Sequence, residues 1–176
     1  MLTFTLRSLA QVAIGFAYKL RPGSPLAARF RLYPIDLDVY GHMNNACYLR
    51  VAELSRWRQI AQSGILTACL KRRWMFVVAE QSIVYHRQIL PFQQYVVRSE
   101  VSYEGKWIYY DHYFESCDAK TEKAMLYAHN KVRAVAKQFN GKTVMPEQII
   151  EACPGVQVWL EDDKICPAVV AKAKSQ

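Results

Sequence analysis

The chain has 176 residues, of which 52% are hydrophobic and 22% are charged, so it has the composition and length of one folded globular domain and not of a disordered protein. Lysine and arginine outnumber aspartate and glutamate by 23 to 15, which gives a formal net charge of +8 and favours an anionic partner. No nucleic-acid-binding motif and no run of five like charges occurs, so we expect no nucleic acid among the partners.

The first segment is predicted to be an amphipathic helix. Residues 2–20 are rich in apolar side chains but are interrupted by polar ones, so the segment is too polar for a membrane-spanning helix. Apolar residues recur at helical spacing, namely Leu6, Leu9, Ala10, Ala13, Phe16 and Ala17. We expect this face to pack on the domain or on a partner subunit, and a weak contact with a membrane surface is the alternative. Prolines and a glycine follow, so residues 1–27 are predicted to be a helix and a linker.

A strand, a polar loop and a long helix are predicted next. Residues 28–35 alternate well enough for a strand. The loop then places two carboxylates, a glycine, a histidine and two asparagines within the ten positions 36–45. Asn44 or Asn45 can cap a helix, because its side-chain oxygen accepts from an unpaired backbone N–H. No proline or glycine interrupts the chain before Gly64, so we predict a helix of about five turns, buried on several sides.

Consecutive strands make up the rest of the domain. Four runs have strand character: residues 74–86, 94–104, 107–117 and 124–139. Tight turns are predicted at residues 104–106 and 118–121, and residues 146–152 form a short helix in this interpretation. One long helix followed by hairpin-linked strands predicts the α+β class, with an antiparallel sheet packed on the helix.

The loop and the order of elements resemble a known family. The string Asp36-x-Asp38-x-x-Gly41-His42-Met43-Asn44-Asn45, followed by a long helix and four antiparallel strands, resembles the hot-dog thioesterases. It is most similar to the 4-hydroxybenzoyl-CoA thioesterase-like group, and the resemblance covers roughly residues 28–150. We take residues 28–153 as the hot-dog domain and residues 154–176 as an extension.

The resemblance implies a fold, an assembly and a reaction. The fold is a long central helix wrapped by a curved antiparallel sheet, to which this chain adds its N-terminal helix. Two subunits pair their sheets edge to edge in a homodimer or homotetramer, and the active sites lie at the subunit interface. The reaction is hydrolysis of an acyl-CoA thioester to a free acid and coenzyme A, without a metal or a bound cofactor.

The same resemblance points to two residues of the loop. Asp38 aligns with the carboxylate that family members use as a nucleophile or as a base for water; the alternative is that it only braces a turn. His42 matches a histidine of the family loop. It can orient Asp38 or the water, or protonate the leaving thiolate, and its alternative role is to pin the loop. Asp36 is expected to hydrogen-bond within the loop.

Asn45 and Glu53 complete the catalytic candidates. Asn45 lies at the start of the long helix, where backbone N–H groups can polarise a thioester carbonyl; a plain capping role is the alternative. Glu53 lies about two turns further along the helix and is a possible second carboxylate. Pairing of Glu53 with a nearby arginine explains it equally without any chemistry.

The basic excess matches the phosphates of coenzyme A. Arginine binds a 3′-phosphate and a pyrophosphate well, and the candidates are Arg72, Arg73, Arg87 and Arg133, each of which is otherwise a solvated charge. Five widely separated cysteines without metal-ligand spacing predict free thiols in a reducing, cytoplasmic compartment and no zinc site.

Two other functions stay open from the sequence. A hot-dog module that binds acyl-CoA without hydrolysing it fits the same fold. A hot-dog dehydratase or hydratase also needs an acid–base pair, which the spacing of Asp38 and His42 allows.

Overall fold

A central helix and an antiparallel sheet form the domain, and the computed structural model describes residues 2–18, 26–117, 124–153 and 156. The helices are α1 (Leu2–Ala17), α2 (Asn45–Gln62), α3 (Ile65–Arg72) and α4 (Pro146–Ala152). The strands are β1 (Leu26–Arg31), β2 (Trp74–Tyr85), β3 (Gln94–Glu104), β4 (Trp107–Ser116), β5 (Leu126–Gln138) and β6 (Thr143–Val144). A 3₁₀ turn, Pro34–Asp36, follows β1.

The strands lie in the order β1-β3-β4-β5-β2, and β6 pairs with β5 beyond the end of β4. All of these pairs are antiparallel. The β3–β4 hairpin turns at Gly105, whose φ of +55° lies in the left-handed region that glycine adopts without strain. The sheet curves around α2, which confirms the predicted α+β class and the hot-dog arrangement. The turn predicted at residues 118–121 lies outside the described residues.

Two elements differ from the sequence-based expectation. β1 ends at Arg31 and not at residue 35, because Pro34 begins the 3₁₀ turn and proline cannot continue a strand ladder as a donor. The short helix α3 was not predicted. Gly64, with φ of +80°, redirects the chain after α2, and a new helix begins at Ile65.

The central helix is buried on more than one side, as predicted. Its first half packs into a core made with the sheet, whose members include Tyr48, Val51, Tyr95 and Phe114. A second core lies under α3 and α4, around Ile108 and Val132. Since α2 also carries α1 on another face, it is held from both sides and its ends are fixed in position.

The helix α1 packs on α2 through its more polar face. At Gly15 the two helices approach so closely that an added Cβ would lie 2.6 Å from the Arg58 carbonyl oxygen and 2.7 Å from the Ala61 Cβ. The predicted apolar face points the other way: Leu6 is 58% exposed, Leu9 61% and Phe16 46%. The expectation that this face packs on the domain is therefore wrong for the single chain.

A buried series of polar side-chain contacts links α2 to the sheet. His112 lies on β4 and is fully buried. Arg56 Nη1 lies 3.2 Å from His112 Nε2, and Ser99 Oγ lies 2.7 Å from His112 Nδ1. Because a guanidinium only donates, Nε2 must accept, and Nδ1 then carries the proton and donates to Ser99. The Gln59 amide donates to the same serine at 2.8 Å.

This burial predicts a pH dependence of stability. Burial, and next the charge of Arg56, lower the pKa of His112 well below its ordinary value near 6.5. Below that pH, His112 binds a proton in the unfolded chain but not in the folded chain. The free energy of unfolding therefore falls as the pH falls. Between pH 7.5 and 5.5 we expect His112 to contribute about 1.4 kcal/mol of this loss. Urea unfolding of wild type and His112→Gln at both pH values measures it.

Candidate active site

The polar loop between the 3₁₀ turn and α2 is closed by its own backbone. Leu37 and Met43 form an isolated antiparallel bridge, and the Asp38 N–H donates to the His42 carbonyl oxygen at 3.0 Å. The turn inside this bridge needs a residue in the left-handed region, and Gly41, with φ of +77°, supplies it. The conformation therefore holds Asp38 and His42 opposite each other, at the two ends of one tight turn.

The side chains of Asp38 and His42 meet. Asp38 Oδ1 accepts from the Tyr40 N–H at 2.9 Å, and Asp38 Oδ2 lies 3.2 Å from His42 Nδ1. Both side chains are about one-fifth exposed, at 20% and 23%, so a small molecule can reach them. The Tyr40 ring stacks on the His42 ring with centroids 6.0 Å apart. A carboxylate held beside an imidazole can act on a carbonyl or on water.

The N-terminus of α2 begins seven residues after Asp38. Asn44 is its N-cap, as the sequence allowed: its side chain accepts from the Ala46 N–H at 2.9 Å, and its carbonyl oxygen accepts from the Cys47 N–H at 2.8 Å. Within the described chain, the Asn45 N–H makes no hydrogen bond. This amide sits at the positive end of the helix, so Asn45 offers a donor through its backbone.

Two tyrosines lie at the same helix end, and no local sequence pattern indicates that they meet there. Tyr85, at the end of β2, lies within 3.4 Å of the Asn45 carbonyl oxygen through its hydroxyl and packs edge-on against Tyr48 at 5.2 Å. Burial, then the neighbouring Tyr85 and the charge of Asp38, raise the pKa of Tyr48 to about 12. Tyr48 is therefore a neutral phenol beside the acidic loop.

Asp36 and Arg7 form a second contact that sequence reasoning missed. Asp36 was expected to hydrogen-bond within the loop, and its backbone carbonyl oxygen does accept from the Asn44 N–H at 3.0 Å. It is only 5% exposed, and its two carboxylate oxygens accept from Arg7 Nη1 of α1 at 2.9 and 3.0 Å. The two residues are 29 positions apart in the sequence, so no local sequence pattern predicts their contact.

Glu53 lies apart from the loop. It follows Asn45 by eight residues on α2, which is about 12 Å along the helix axis. Its recorded contact is with Trp57, whose Nε1 lies 3.4 Å from Glu53 Oε1. Among the described residues it forms no ion pair, because Arg50 points to the Cys47 sulfur and Arg56 to His112.

The four candidate arginines fall into three places. Arg72 and Arg73 are exposed at the start of β2, where Arg72 stacks over Trp74 at 5.1 Å. Arg87 is exposed just after the other end of β2, so the whole length of the strand, about 36 Å, lies between it and Arg73. Arg133 and His112 point to opposite faces of the sheet. On its own face Arg133 pairs with Glu80 at 2.9 Å. One chain alone therefore does not assemble these arginines into a single phosphate site.

Two apolar recesses lie away from the loop, beside α3 and α4. They share the lining residues Ile65, Val101, Tyr110 and Val156. Neither is lined by a residue of the loop. Asp38 and His42 thus lie at the surface of the single chain and not inside either recess.

Comparison with known proteins places these features in a family context. A model of the thioesterase-like superfamily matches residues 32–159, which include the loop, α2 and the sheet from β2 onward. Protein THEM6 of Xenopus laevis is 28% identical over 100 residues, covering 56% of this chain and 48% of that protein. The chain matches about half the length of the THEM6 proteins it resembles.

Solved structures share the fold at low identity. The probable thioesterase YbaW from Escherichia coli superposes with a TM-score of 0.66 at 20% identity, covering 77% of this chain and 98% of that one. A mutant of 4-hydroxybenzoyl CoA thioesterase, complexed with 4-hydroxybenzoyl CoA, superposes with a TM-score of 0.63 at 12% identity, covering 72% and 96%. At these identities the likeness establishes the architecture.

Proposed function

Because this chain belongs to the thioesterase-like superfamily, we propose that it hydrolyses an acyl-CoA thioester to a free acid and coenzyme A, with Asp38 as the base or nucleophile. The observation that carries the proposal is the Asp38–His42 pair, 3.2 Å apart, beside the N-terminus of α2. The structural neighbours named as thioesterases, one of them bound to an acyl-CoA, support the substrate class.

The proposed chemistry needs three groups. The Asn45 N–H, at the positive end of α2, donates to the thioester carbonyl oxygen and stabilises the charge that develops there. Asp38 either attacks the carbonyl carbon and expels the thiolate, leaving a mixed anhydride that water then hydrolyses, or takes a proton from a water that attacks the carbonyl. His42, held beside Asp38, orients the carboxylate or gives a proton to the departing thiolate. Glu53 is kept as the second carboxylate to test.

The edge of β2 supports a homodimer. One side of this twelve-residue strand pairs with β5, and its other side is an edge of the sheet. Apolar side chains along it are exposed in the single chain: Met75, Val77, Val78, Val84 and Tyr85. A long apolar edge strand is normally covered, and a second copy of the same strand can cover it. We propose that two β2 strands pair, with a homotetramer as the alternative.

Such pairing would assemble the phosphate site. If the two β2 strands run antiparallel, Arg72 and Arg73 of one subunit approach Arg87 of the other, although the whole of β2 separates them in one chain. These arginines suit the 3′-phosphate and pyrophosphate of coenzyme A. Arg133 would first have to exchange Glu80 for a phosphate.

We also propose that this protein is cytoplasmic and that it contacts a membrane surface through α1. The buried free thiols of Cys47, Cys69 and Cys153 suit a reducing compartment. No helix in the described part of the chain is long and apolar enough to cross a bilayer. The apolar face of α1 nevertheless points outward, and the first 35 residues contain five basic residues and no acidic one. An apolar face within a basic segment fits an anionic lipid surface.

The membrane contact predicts selective vesicle binding. We expect the full chain to co-sediment with vesicles containing phosphatidylserine and much less with pure phosphatidylcholine. Leu9→Glu with Phe16→Glu should lower binding at least tenfold, because both charges would enter the apolar layer. Leu70→Glu, which alters an exposed leucine of α3, is the matched control. Equal binding by all variants, or a change of oligomeric state in the double variant, would contradict the contact.

The test of the proposed reaction is thiol release from a panel of acyl-CoAs with short, long and aromatic acyl groups, followed with a disulfide dye. Turnover of any member above the buffer rate supports the proposal. Acyl-CoA binding without turnover would favour the binding module. Hydration of crotonyl-CoA without thiol release would favour the hydratase.

A further inference from the structure

The ion pair between Arg7 of α1 and Asp36 joins α1 to the polar loop. Asp36 is a buried carboxylate, and a buried charge is stable only when it is paired. Arg7 is the cation that pairs with it, through Nη1 and both carboxylate oxygens. Among the residues that the structure describes, the other side-chain contact of this carboxylate is the Cys47 sulfur at 3.7 Å, which carries no positive charge. The burial of Asp36 therefore depends on Arg7.

Asp36 in turn fixes both ends of the loop that carries the catalytic pair. Its backbone carbonyl oxygen accepts from the Asn44 N–H at 3.0 Å. This hydrogen bond joins Asp36, at the start of the loop, to Asn44, the N-cap of α2 at its end. Inside this closure lie the Leu37–Met43 bridge and the turn of Asp38. A displacement of Asp36 thus moves the anchor of the whole turn.

We propose that Arg7 is a positioning residue for this loop, so that α1 belongs to the active-site machinery although it lies outside the matched residues 32–159. Without Arg7 the Asp36 carboxylate becomes an unpaired buried charge and recovers its hydration by moving toward solvent. The movement carries Asp38 and His42 away from the Asn45 N–H. This inference rests on the proposed thioesterase function, since it concerns the rate of that reaction.

Arg7→Ala is expected to lower kcat for acyl-CoA hydrolysis at least tenfold and to leave KM within twofold, because the loop carries the chemistry and not the coenzyme A phosphate contacts. Adding Asp36→Asn to Arg7→Ala should restore kcat to within threefold of wild type, because a neutral amide needs no cation. Arg7→Lys should keep most of the rate. Arg29→Ala, which removes an exposed arginine of β1, is the matched control.

A second route removes the same contact without touching Arg7. Gly15→Leu places side-chain atoms where even a Cβ would lie 2.6 Å from the Arg58 carbonyl oxygen, so α1 must leave α2. We expect this variant to reproduce the loss of kcat seen in Arg7→Ala.

Backbone hydrogen exchange separates the positioning role from the activity itself. Peptides that cover residues 36–44 should exchange at least fivefold faster in Arg7→Ala than in wild type, and at the wild-type rate in Arg29→Ala. If wild type hydrolyses no acyl-CoA but this difference appears, the proposed function fails and the anchoring of the loop stands. Unchanged exchange, an unchanged kcat in Arg7→Ala, or no rescue by Asp36→Asn would overturn the inference.

Discussion

Asp38→Asn is expected to lower kcat for acyl-CoA hydrolysis by about 10²–10⁴-fold, the usual contribution of a positioned acid–base group. The amide keeps the size of the side chain and an oxygen that can accept from the Tyr40 N–H, so the turn should persist. It can neither attack the carbonyl carbon nor take a proton from water. Thiol release from the preferred acyl-CoA, measured at saturating substrate, reports this change.

The chain offers a close control for this substitution. Asp111 is also a partly exposed aspartate beside a histidine: its Oδ1 lies 2.6 Å from His129 Nε2, and it is 25% exposed. This pair lies in the sheet between β4 and β5 and not in the loop. Asp111→Asn should therefore keep nearly the full rate. A similar loss in both variants would indicate a general effect on folding.

Survival of activity in Asp38→Asn would show that another group carries the reaction. Glu53 is the next carboxylate to test, because it lies on α2 about 12 Å further along the axis and forms no ion pair within the described residues. Glu53→Gln would then be expected to lose the rate. Loss in both variants would indicate that the two carboxylates act on the same substrate.

The sequence predicted the elements whose signals are local. The span of α2 follows from an uninterrupted run between an asparagine cap and Gly64, and both bounds are confirmed. The long strands follow from alternation and from the hairpin turn at Gly105, and β3 spans the predicted residues. The loop stands out because its polar residues are dense. In each case the determining interactions lie within a few residues of one another.

The features that the sequence did not predict depend on distant contacts. The burial of His112 depends on Arg56, 56 residues away, and on Ser99 in the adjacent strand. The direction of α1 depends on the missing side chain of Gly15, which lets α2 approach the polar face of α1. Helical spacing shows that an apolar face exists, but it does not show which side of a helix meets the domain.

Val78→Lys is expected to convert the proposed homodimer into monomers and to abolish most of the activity. Val78 is 47% exposed in the single chain, so a lysine there costs the monomer little. In a dimer that pairs β2 with β2, the same lysine would be buried without a partner and would weaken association on the order of 10²-fold or more. Sedimentation velocity over a range of protein concentrations measures the change.

The activity of Val78→Lys then tests whether the site needs both subunits. If Arg72 and Arg73 of one subunit hold the coenzyme A bound at the loop of the other, KM should rise as the dimer dissociates, and the specific activity should recover at high protein concentration. Leu70→Lys places the same charge on an exposed position of α3 and should change neither quantity. A Val78→Lys protein that remains dimeric would show that the subunits meet through another surface. A monomer with full activity would show instead that the Asp38 loop and the arginines of a single chain suffice, and that the edge of β2 serves assembly alone.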